Sequence, residues 1–89
     1  MNTQWMLLGR YAGMPVLPVE TVIKDFFPTM NRETFLRKVA DGSIALPLVR
    51  MEQSQKGAKG VYLTDLAAYI DKRRAEALED YHQFHGLAA

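Results

Sequence analysis

The sequence contains no cysteine. This absence excludes disulfide bonds, thiolate metal ligands and cysteine nucleophiles. Long hydrophobic runs are absent as well: the longest apolar run near the start is Trp5–Leu8, and no cationic region precedes it. Such a run is too short for the core of a signal peptide or for a membrane span. We therefore expect a cytoplasmic protein without a membrane partner.

The sequence also lacks the patterns that catalysis and cofactor binding require. No nucleophile, base and orienting acid occur at recognisable spacing, and no glycine-rich loop opens a helix as phosphate-binding loops do. His82 and His85, with Glu79 and Asp80 nearby, could offer two imidazoles to a metal, but a closed site needs more ligands. We therefore expect no enzymatic activity, no small-molecule substrate, no cofactor and no bound metal.

The chain has the length and composition of one small globular domain. Its 89 residues are 48% hydrophobic and 24% charged, which are ordinary values for folded proteins. The net charge of +1 hides a regional difference. Residues 1–30 are balanced, residues 31–64 carry six cations and three acids, and residues 65–89 carry three cations and five acids. The positive excess is therefore concentrated in the middle of the chain.

The middle of the chain predicts two short helices. The first, Pro18–Phe27, begins with a proline, which is harmless in an opening turn, and it ends before Pro28. The second, Asn31–Ala40, has an apolar side and a cationic side, and Thr29 or Asn31 can cap it. Two short helices separated by a few residues are typical of a helix-turn-helix.

Two strands are predicted next, Pro47–Glu52 and Gly60–Leu63, joined by a loop at 53–59 that contains two lysines and no acid. Such a hairpin can lie against phosphate as the wing of a winged helix. The opening segment Thr3–Tyr11 is also predicted as a strand, although a short apolar run does not separate strand from helix by period. It could extend the sheet, pair with another copy of the chain, or cover the core.

A long final helix is predicted after these strands, capped by Thr64 or Asp65. At about twenty residues it would span roughly 30 Å, longer than one core contact requires. Its second half is expected either to overhang and contact another subunit or to fold back onto the region of Trp5. The residues predicted for a subunit interface are Trp5, Met6, Tyr81 and Phe84.

These elements together predict an α+β protein. We expect residues 1–89 to form a single small winged helix-turn-helix domain with an N-terminal strand and a long C-terminal helix.

Several short motifs carry a resemblance to a known family. The quoted stretches are Asn2–Leu8 followed by Arg10-Tyr11, Pro15–Pro18, Leu36–Lys38, Leu46–Arg50, Ser54–Lys56, and Asp65–Asp71 with Arg73-Arg74. In these stretches the sequence resembles the winged-helix group that includes phage excisionases, AlpA-type regulators and the MerR-like DNA-binding domain. Within that group it is most similar to the pyocin activator (PrtN) family, over nearly the whole chain.

The resemblance implies a DNA-binding transcriptional regulator, an activator of phage-derived or bacteriocin genes, associated with the nucleoid. It implies that double-stranded DNA is contacted by Arg37, Lys38, Arg50 and the stretch from Ser54 to Lys56. The role of an excisionase, which sets the direction of recombination, stays open because winged helices of this group serve both functions. A protein-binding antirepressor or adaptor is the alternative of another class.

The chemistry of the side chains suggests individual roles on DNA. Asn31 and Thr34 lie at the N-terminal end of the second helix, where base edges are most easily reached, and Arg37 can bind guanine bidentately. Ser54 and Gln55 suit phosphate or minor-groove acceptors. The cations assigned to phosphate or minor-groove contacts are Arg32, Lys38, Arg50, Lys56 and Lys59.

Two alternatives weigh against these assignments. A cationic helix face can simply be solvated, and Arg50 could form a structural ion pair with Glu52 or Asp65. A single copy would make few phosphate contacts, so we expect specific recognition to involve self-association on DNA, with a homodimer as one form.

Overall fold

A computed structural model describes residues 2–53 and 58–85, with side chains described as far as Phe84. The elements in chain order are α1 (Thr3–Arg10), β1 (Val16–Pro18), α2 (Val19–Phe26), α3 (Arg32–Ala40), β2 (Leu48–Arg50), β3 (Lys59–Tyr62) and α4 (Leu63–His85). The described residues therefore form four helices and one antiparallel three-stranded sheet, a mixed α+β arrangement compatible with a small winged helix. This confirms the predicted fold class.

The prediction of a strand at Thr3–Tyr11 is wrong, because this segment is helix α1. Asn2 caps the helix: its side chain accepts a hydrogen bond of 2.9 Å from the backbone N–H of Trp5. A helix also puts Leu7 and Tyr11 on one face, since residues four apart lie one above the other, and both are buried in the core. The segment therefore covers the core, as one of its three predicted alternatives states.

The third strand of the sheet comes from the segment that follows α1. The strand order is β1-β3-β2, and β3 pairs antiparallel with both neighbours. Val61 lies opposite Leu17 on one side and opposite Leu48 on the other, so these three residues form the face of the sheet that meets the core. Gly60 lies opposite Pro18, where a Cβ atom would be 2.9 Å from the carbonyl oxygen of Leu17.

The two central helices confirm the predictions within one residue at each end. Pro18 precedes the first turn of α2, and Asn31 caps α3 by accepting a hydrogen bond of 2.8 Å from the backbone N–H of Thr34. Phe35 is wholly buried at the centre of the core. Gly42, at a φ of 85°, follows the C-terminal end of α3, in the left-handed conformation that glycine favours.

Tyr11 joins the end of α1 to α2. Its hydroxyl donates a hydrogen bond of 2.5 Å to Asp25 Oδ2, which also lies 3.4 Å from the guanidinium of Arg10. Burial, followed by the hydrogen bond to Asp25 and the negative charge of that carboxylate, raises the pKa of Tyr11 to about 12. The Arg10 guanidinium lies 4.9 Å from the centre of the Tyr11 ring.

Helix α4 begins earlier than predicted, directly after β3. Its first residue, Leu63, donates its backbone N–H to the carbonyl of Pro15 at 2.8 Å, so Thr64 and Asp65 lie in the first turn and the predicted capping by either residue is wrong. Pro15, which accepts this hydrogen bond, is distant in sequence, so a local sequence pattern cannot indicate that the helix begins at Leu63.

The second half of α4 extends past the core. Leu63, Leu66 and Ala67 are buried, whereas Phe84 is 84% exposed. The dimensions of 54 × 29 × 20 Å reflect this extension. Helix α1 packs against the first half of α4, where the Thr3 hydroxyl donates a hydrogen bond to Asp71. Within residues 2–53 and 58–85, no helix is both long and apolar enough to cross a membrane.

Candidate nucleic-acid interface

Arg37 occupies the outward side of α3. Successive helical residues are turned by about 100°, so Arg37 projects nearly opposite to Phe35, which lies two positions earlier and is wholly buried. Arg37 is exposed and makes no ion pair with any described residue. A guanidinium in this position is available to a ligand outside the protein.

Asp41, at the C-terminal end of α3, is an acid close to this cationic face, and it is engaged locally. Its carboxylate accepts a hydrogen bond of 2.8 Å from the backbone N–H of Ser43. Hydrogen bonds from Ser43 lower the pKa of Asp41, and the charges of Arg37 and Lys38 lower it further. The half-buried Lys38 forms no ion pair within the described part of the chain.

Asn31 and Thr34, predicted to reach base edges, are partly committed to the start of α3. The Asn31 side-chain oxygen accepts the Thr34 backbone N–H, and the Thr34 side chain is half-buried. A bidentate contact to adenine uses both the oxygen and the nitrogen of an asparagine amide, so Asn31 would have to share or release its cap. The contact of these two residues with bases stays a prediction.

Arg32, predicted to reach phosphate, is paired with an acid of α2. Its Nε donates a hydrogen bond of 3.0 Å to Glu20 Oε1. The pKa of Glu20 is lowered first by a hydrogen bond from its own backbone and then by the bond from Arg32. Both side chains are more than half exposed, and exposed pairs of this kind contribute about 0 to 1 kcal/mol, so the pair is easily exchanged.

Arg50 and Lys59 face each other across the two wing strands. They are register partners at the end of β2 and β3 where the connecting loop begins, on the same side of the sheet as Leu48 and Val61. Like charges directly opposite each other in a sheet are destabilising. Neither cation forms an ion pair with a described residue, so Arg50 does not pair with Glu52 or Asp65. The fold thus holds two uncompensated positive charges side by side.

This cation pair lies beside α3. A shallow groove of about 200 Å³ separates α3 from the wing strands, and it is lined by Leu36, Val39, Ala40, Leu48, Arg50 and Lys59. The sequence indicated a cationic helix and a basic hairpin but not that they line one groove. Register and packing bring Arg50 and Lys59 to the edge of α3.

The predicted contacts of the wing tip, Ser54, Gln55 and Lys56, lie outside the described residues.

The sequence did not predict one surface feature near the wing. A second groove, of about 250 Å³, runs over the outer face of the sheet past Val16, Gly60 and Met51, with Lys59 and the Glu20–Arg32 pair among its lining residues. No local signal could indicate it, because it exists only once β1 has paired with β3.

The residues predicted for a subunit interface are exposed on two helices. Trp5 and Met6 lie on α1, and Tyr81 and Phe84 lie on the part of α4 beyond the core. Trp5 is 65% exposed, which is unusual for the largest apolar side chain of a small domain.

Among the described residues, no group of three or more histidines or acids is placed to hold a metal ion.

Comparison with known proteins gives one match. Residues 3–77, which include every described helix and strand up to the middle of α4, match the family described as pyocin activator protein PrtN. Curated proteins and solved structures gave no match. The resemblance of the short motifs is thereby confirmed over most of the chain. The chain belongs to the pyocin activator protein family, and its role lies in the activation of pyocin genes.

Proposed function

We propose that the protein activates pyocin genes by binding DNA sequence-specifically, with α3 in the major groove and the wing strands on the adjacent backbone or minor groove. The observation that carries the proposal is the Arg50–Lys59 pair beside α3. The other contact residues keep their predicted roles, including Ser54, Gln55 and Lys56 at the wing tip.

An anion relieves the repulsion within this pair. Each cation lacks an acidic partner among the described residues, and the strand register holds the two side chains next to each other. A phosphate of the DNA backbone carries the charge and the acceptor oxygens that both side chains need. Because the pair lies at the edge of α3, phosphate binding there would set the position of α3 on the duplex.

Arg37 supplies the contact that distinguishes sequences. It projects from α3 away from Phe35 and is free of ion pairs within the described part of the chain. Arginine bound to O6 and N7 of guanine is the commonest specific contact in the major groove and discriminates by about 1 to 3 kcal/mol. Replacing Arg37 by alanine should therefore relax sequence preference rather than abolish binding.

The direct test compares single alanine variants of Arg50, Lys59 and Arg37 in fluorescence anisotropy. The DNA is a fragment from a pyocin promoter region and a scrambled fragment of equal length, each at several salt concentrations. Arg50→Ala and Lys59→Ala should weaken binding to both DNAs and flatten the plot of log affinity against log salt by about one unit each. Arg37→Ala should reduce the ratio between the two affinities by about tenfold or more.

Lys72→Ala is the matched control, because Lys72 is an exposed cation on α4 that does not line the groove between α3 and the wing. It should bind both DNAs as the parent protein does. Equal binding by all four variants would overturn the proposal. A loss of affinity in Lys72→Ala as large as in Arg50→Ala would show attraction to net charge alone.

A protein-binding antirepressor or adaptor is the second candidate function. Exposure of Trp5, Met6, Tyr81 and Phe84 favours it, because large apolar side chains in solvent mark contact surfaces. The anisotropy experiment separates the two: an adaptor would not distinguish the promoter fragment from the scrambled one. An excisionase would also bind DNA, and an integrase gene beside its own gene would favour that role over activation.

A further inference from the structure

Helix α4 carries a stripe that is apolar except at Arg74 and runs from the core into the part beyond it. Ala67, Ile70, Arg74, Ala77, Tyr81 and Phe84 recur at alternating intervals of three and four residues. This is the spacing of the seam in two-stranded helical packing. Ala67 is buried and Ile70 packs partly against the core, whereas Tyr81 and Phe84 are exposed. The stripe is thus covered at one end and open at the other.

An apolar hollow opens beside the covered end of the stripe. It has a volume of about 280 Å³ and is lined by Phe26, Phe27, Leu66, Tyr69, Ile70 and Arg73. A cavity of about 150 Å³ is enough to hold benzene, so this hollow can take an aromatic side chain. The molecule therefore displays aromatic side chains at one end of α4 and a site of matching chemistry near the other end.

We propose that a second copy of this chain docks antiparallel along α4. In this arrangement the Tyr81 and Phe84 end of each helix lies against the hollow beside Ile70 of the other copy. A two-fold axis near Ala77 relates the copies, so each contact is made twice. Ala77 is small enough to let the two helices approach closely where they cross.

The charges along α4 select this orientation. Lys72, Arg73 and Arg74 form a cationic block, and Glu76, Glu79 and Asp80 form an acidic block that follows it. An antiparallel pair places the cationic block of one helix beside the acidic block of the other, whereas a parallel pair places like charges together. Because both helices have the same sequence, a second copy in the antiparallel orientation offers an acidic block to the cationic block and a cationic block to the acidic block.

The position of the stripe also predicts one ion pair between the two copies. Arg73 and Asp80 hold equivalent positions, each directly before a seam residue and seven residues apart. In an antiparallel pair, Arg73 of one copy then faces Asp80 of the second copy. Arg73 forms an ion pair with Glu76 of its own helix at 2.6 Å, but the two side chains are 61% and 46% exposed, so this ion pair is readily exchanged.

Sedimentation equilibrium of the full-length protein without DNA tests the proposal. The parent protein should show a monomer–dimer equilibrium at concentrations up to about 200 µM. Phe84→Ser should raise the dissociation constant of the dimer by about tenfold or more, because the variant loses an aromatic contact on both sides of the axis. Phe84 is 84% exposed, so this change leaves the folded monomer intact. A parent protein that is monomeric throughout this range would overturn the proposal.

Charge reversal tests the orientation. Arg73→Glu and Asp80→Arg should each raise the dissociation constant by about tenfold, since each change puts like charges together at two symmetric contacts. The double variant should recover most of the parental affinity. Lys72→Glu is the control: Lys72 lies on the side of α4 away from the stripe and should change the constant by less than about threefold. No recovery in the double variant would overturn the antiparallel pairing.

This outcome is separable from that of the proposed function. Dimerisation is measured without DNA, and DNA binding by a single copy requires α3 and the wing strands but not the exposed end of α4.

Discussion

Arg32 and Asn31 are both held by neighbouring groups in the free protein. Glu20 binds the guanidinium of Arg32, and the Asn31 amide oxygen caps α3. Arg37, Arg50 and Lys59 form no such ion pairs within the described residues. If the proposed function holds, the two groups should respond differently to mutation: the first would have to exchange an internal partner for DNA, whereas the second would meet DNA directly.

Glu20→Gln should raise the affinity for both promoter and scrambled DNA by about threefold. The change frees Arg32 for phosphate and removes a negative charge next to α3, so the salt slope should steepen by up to about one unit. Anisotropy at low and moderate salt measures both effects. Glu79→Gln removes the same charge on α4, far from α3, and should leave the affinity unchanged. An unaltered affinity in Glu20→Gln would show that Arg32 does not reach DNA.

Tyr11 should make stability depend on pH in the alkaline range. Its pKa is about 12 in the folded protein and close to 10 in an unfolded chain, so the folded state holds the phenolic proton more tightly. The stabilisation is complete below pH 10 and is lost as the pH rises towards about 12. We expect the free energy of unfolding of the parent protein to fall across this window by about 1 to 2 kcal/mol beyond the change in Tyr11→Phe.

Urea unfolding followed by circular dichroism at a series of pH values measures this difference. Tyr11→Phe should also lose about 1 kcal/mol at neutral pH, because the hydrogen bond to Asp25 is removed while the packing is kept. Tyr62→Phe, at an exposed tyrosine of β3, is the control and should follow the parent at every pH. Identical alkaline curves for the parent protein and Tyr11→Phe would contradict the assignment.

The sheet depends on the close approach of β1 to β3. Gly60 lies in the central strand, and a Cβ atom there would overlap Val16 Cγ1 and lie 2.9 Å from the Leu17 carbonyl oxygen. A side chain at this position would push β1 outwards and disturb Leu17, which is wholly buried. The short strand β1 thus requires glycine opposite it.

Gly60→Ala should destabilise the protein by about 1 to 3 kcal/mol, the usual cost of forcing an extra carbon into a packed site. Thermal and urea unfolding give the value. Gly9→Ala is the matched control: no atom lies within 4 Å of the added carbon, and alanine favours the helical conformation of α1. That variant should be neutral or up to about 1 kcal/mol more stable. Equal stability of the two variants would show that β1 can move without loss.

The molecule divides into a core and an extension. The core contains α1, α2, α3, the sheet and the first half of α4, and among the side chains described as far as Phe84 no buried core residue lies beyond Ala67. The positive excess lies on α3 and the wing, whereas the sequence after Arg74 carries Glu76, Glu79 and Asp80 and no lysine or arginine. In the proposed complex, a duplex bound at α3 would repel this acidic extension, which favours its contact with protein rather than with DNA.

A chain that ends at Arg74 should therefore stay folded. It keeps the buried residues and the hydrogen bond from Thr3 to Asp71, so its free energy of unfolding should fall by less than about 1 kcal/mol. The truncated chain should lose the proposed dimerisation. Its binding to DNA as a single copy should keep the slope of log affinity against log salt. Circular dichroism, sedimentation and anisotropy measure the three properties. A loss of the folded state would show that the extension packs on the core.

Local chemistry along the chain was enough to predict several parts of this protein. Two prolines, the capping asparagine and the glycine after α3 predict the ends of α2 and α3 to within one residue. The count of charges along the chain located the cationic region. These signals act within a few residues along the chain. The family motifs are equally local, and they are confirmed over residues 3–77.

The features that join distant segments depend on packing between elements and could not be predicted from local patterns. Residues Thr3–Arg10 form a helix because this conformation lets Leu7 and Tyr11 pack together in the core. The third strand is Val16–Pro18 because Gly60 has no side chain and so allows β1 to approach β3 closely. The meeting of Arg50 with Lys59 and the bond between Glu20 and Arg32 arise in the same way. Such contacts depend on register and packing between residues far apart in sequence, which periodicity and composition do not encode.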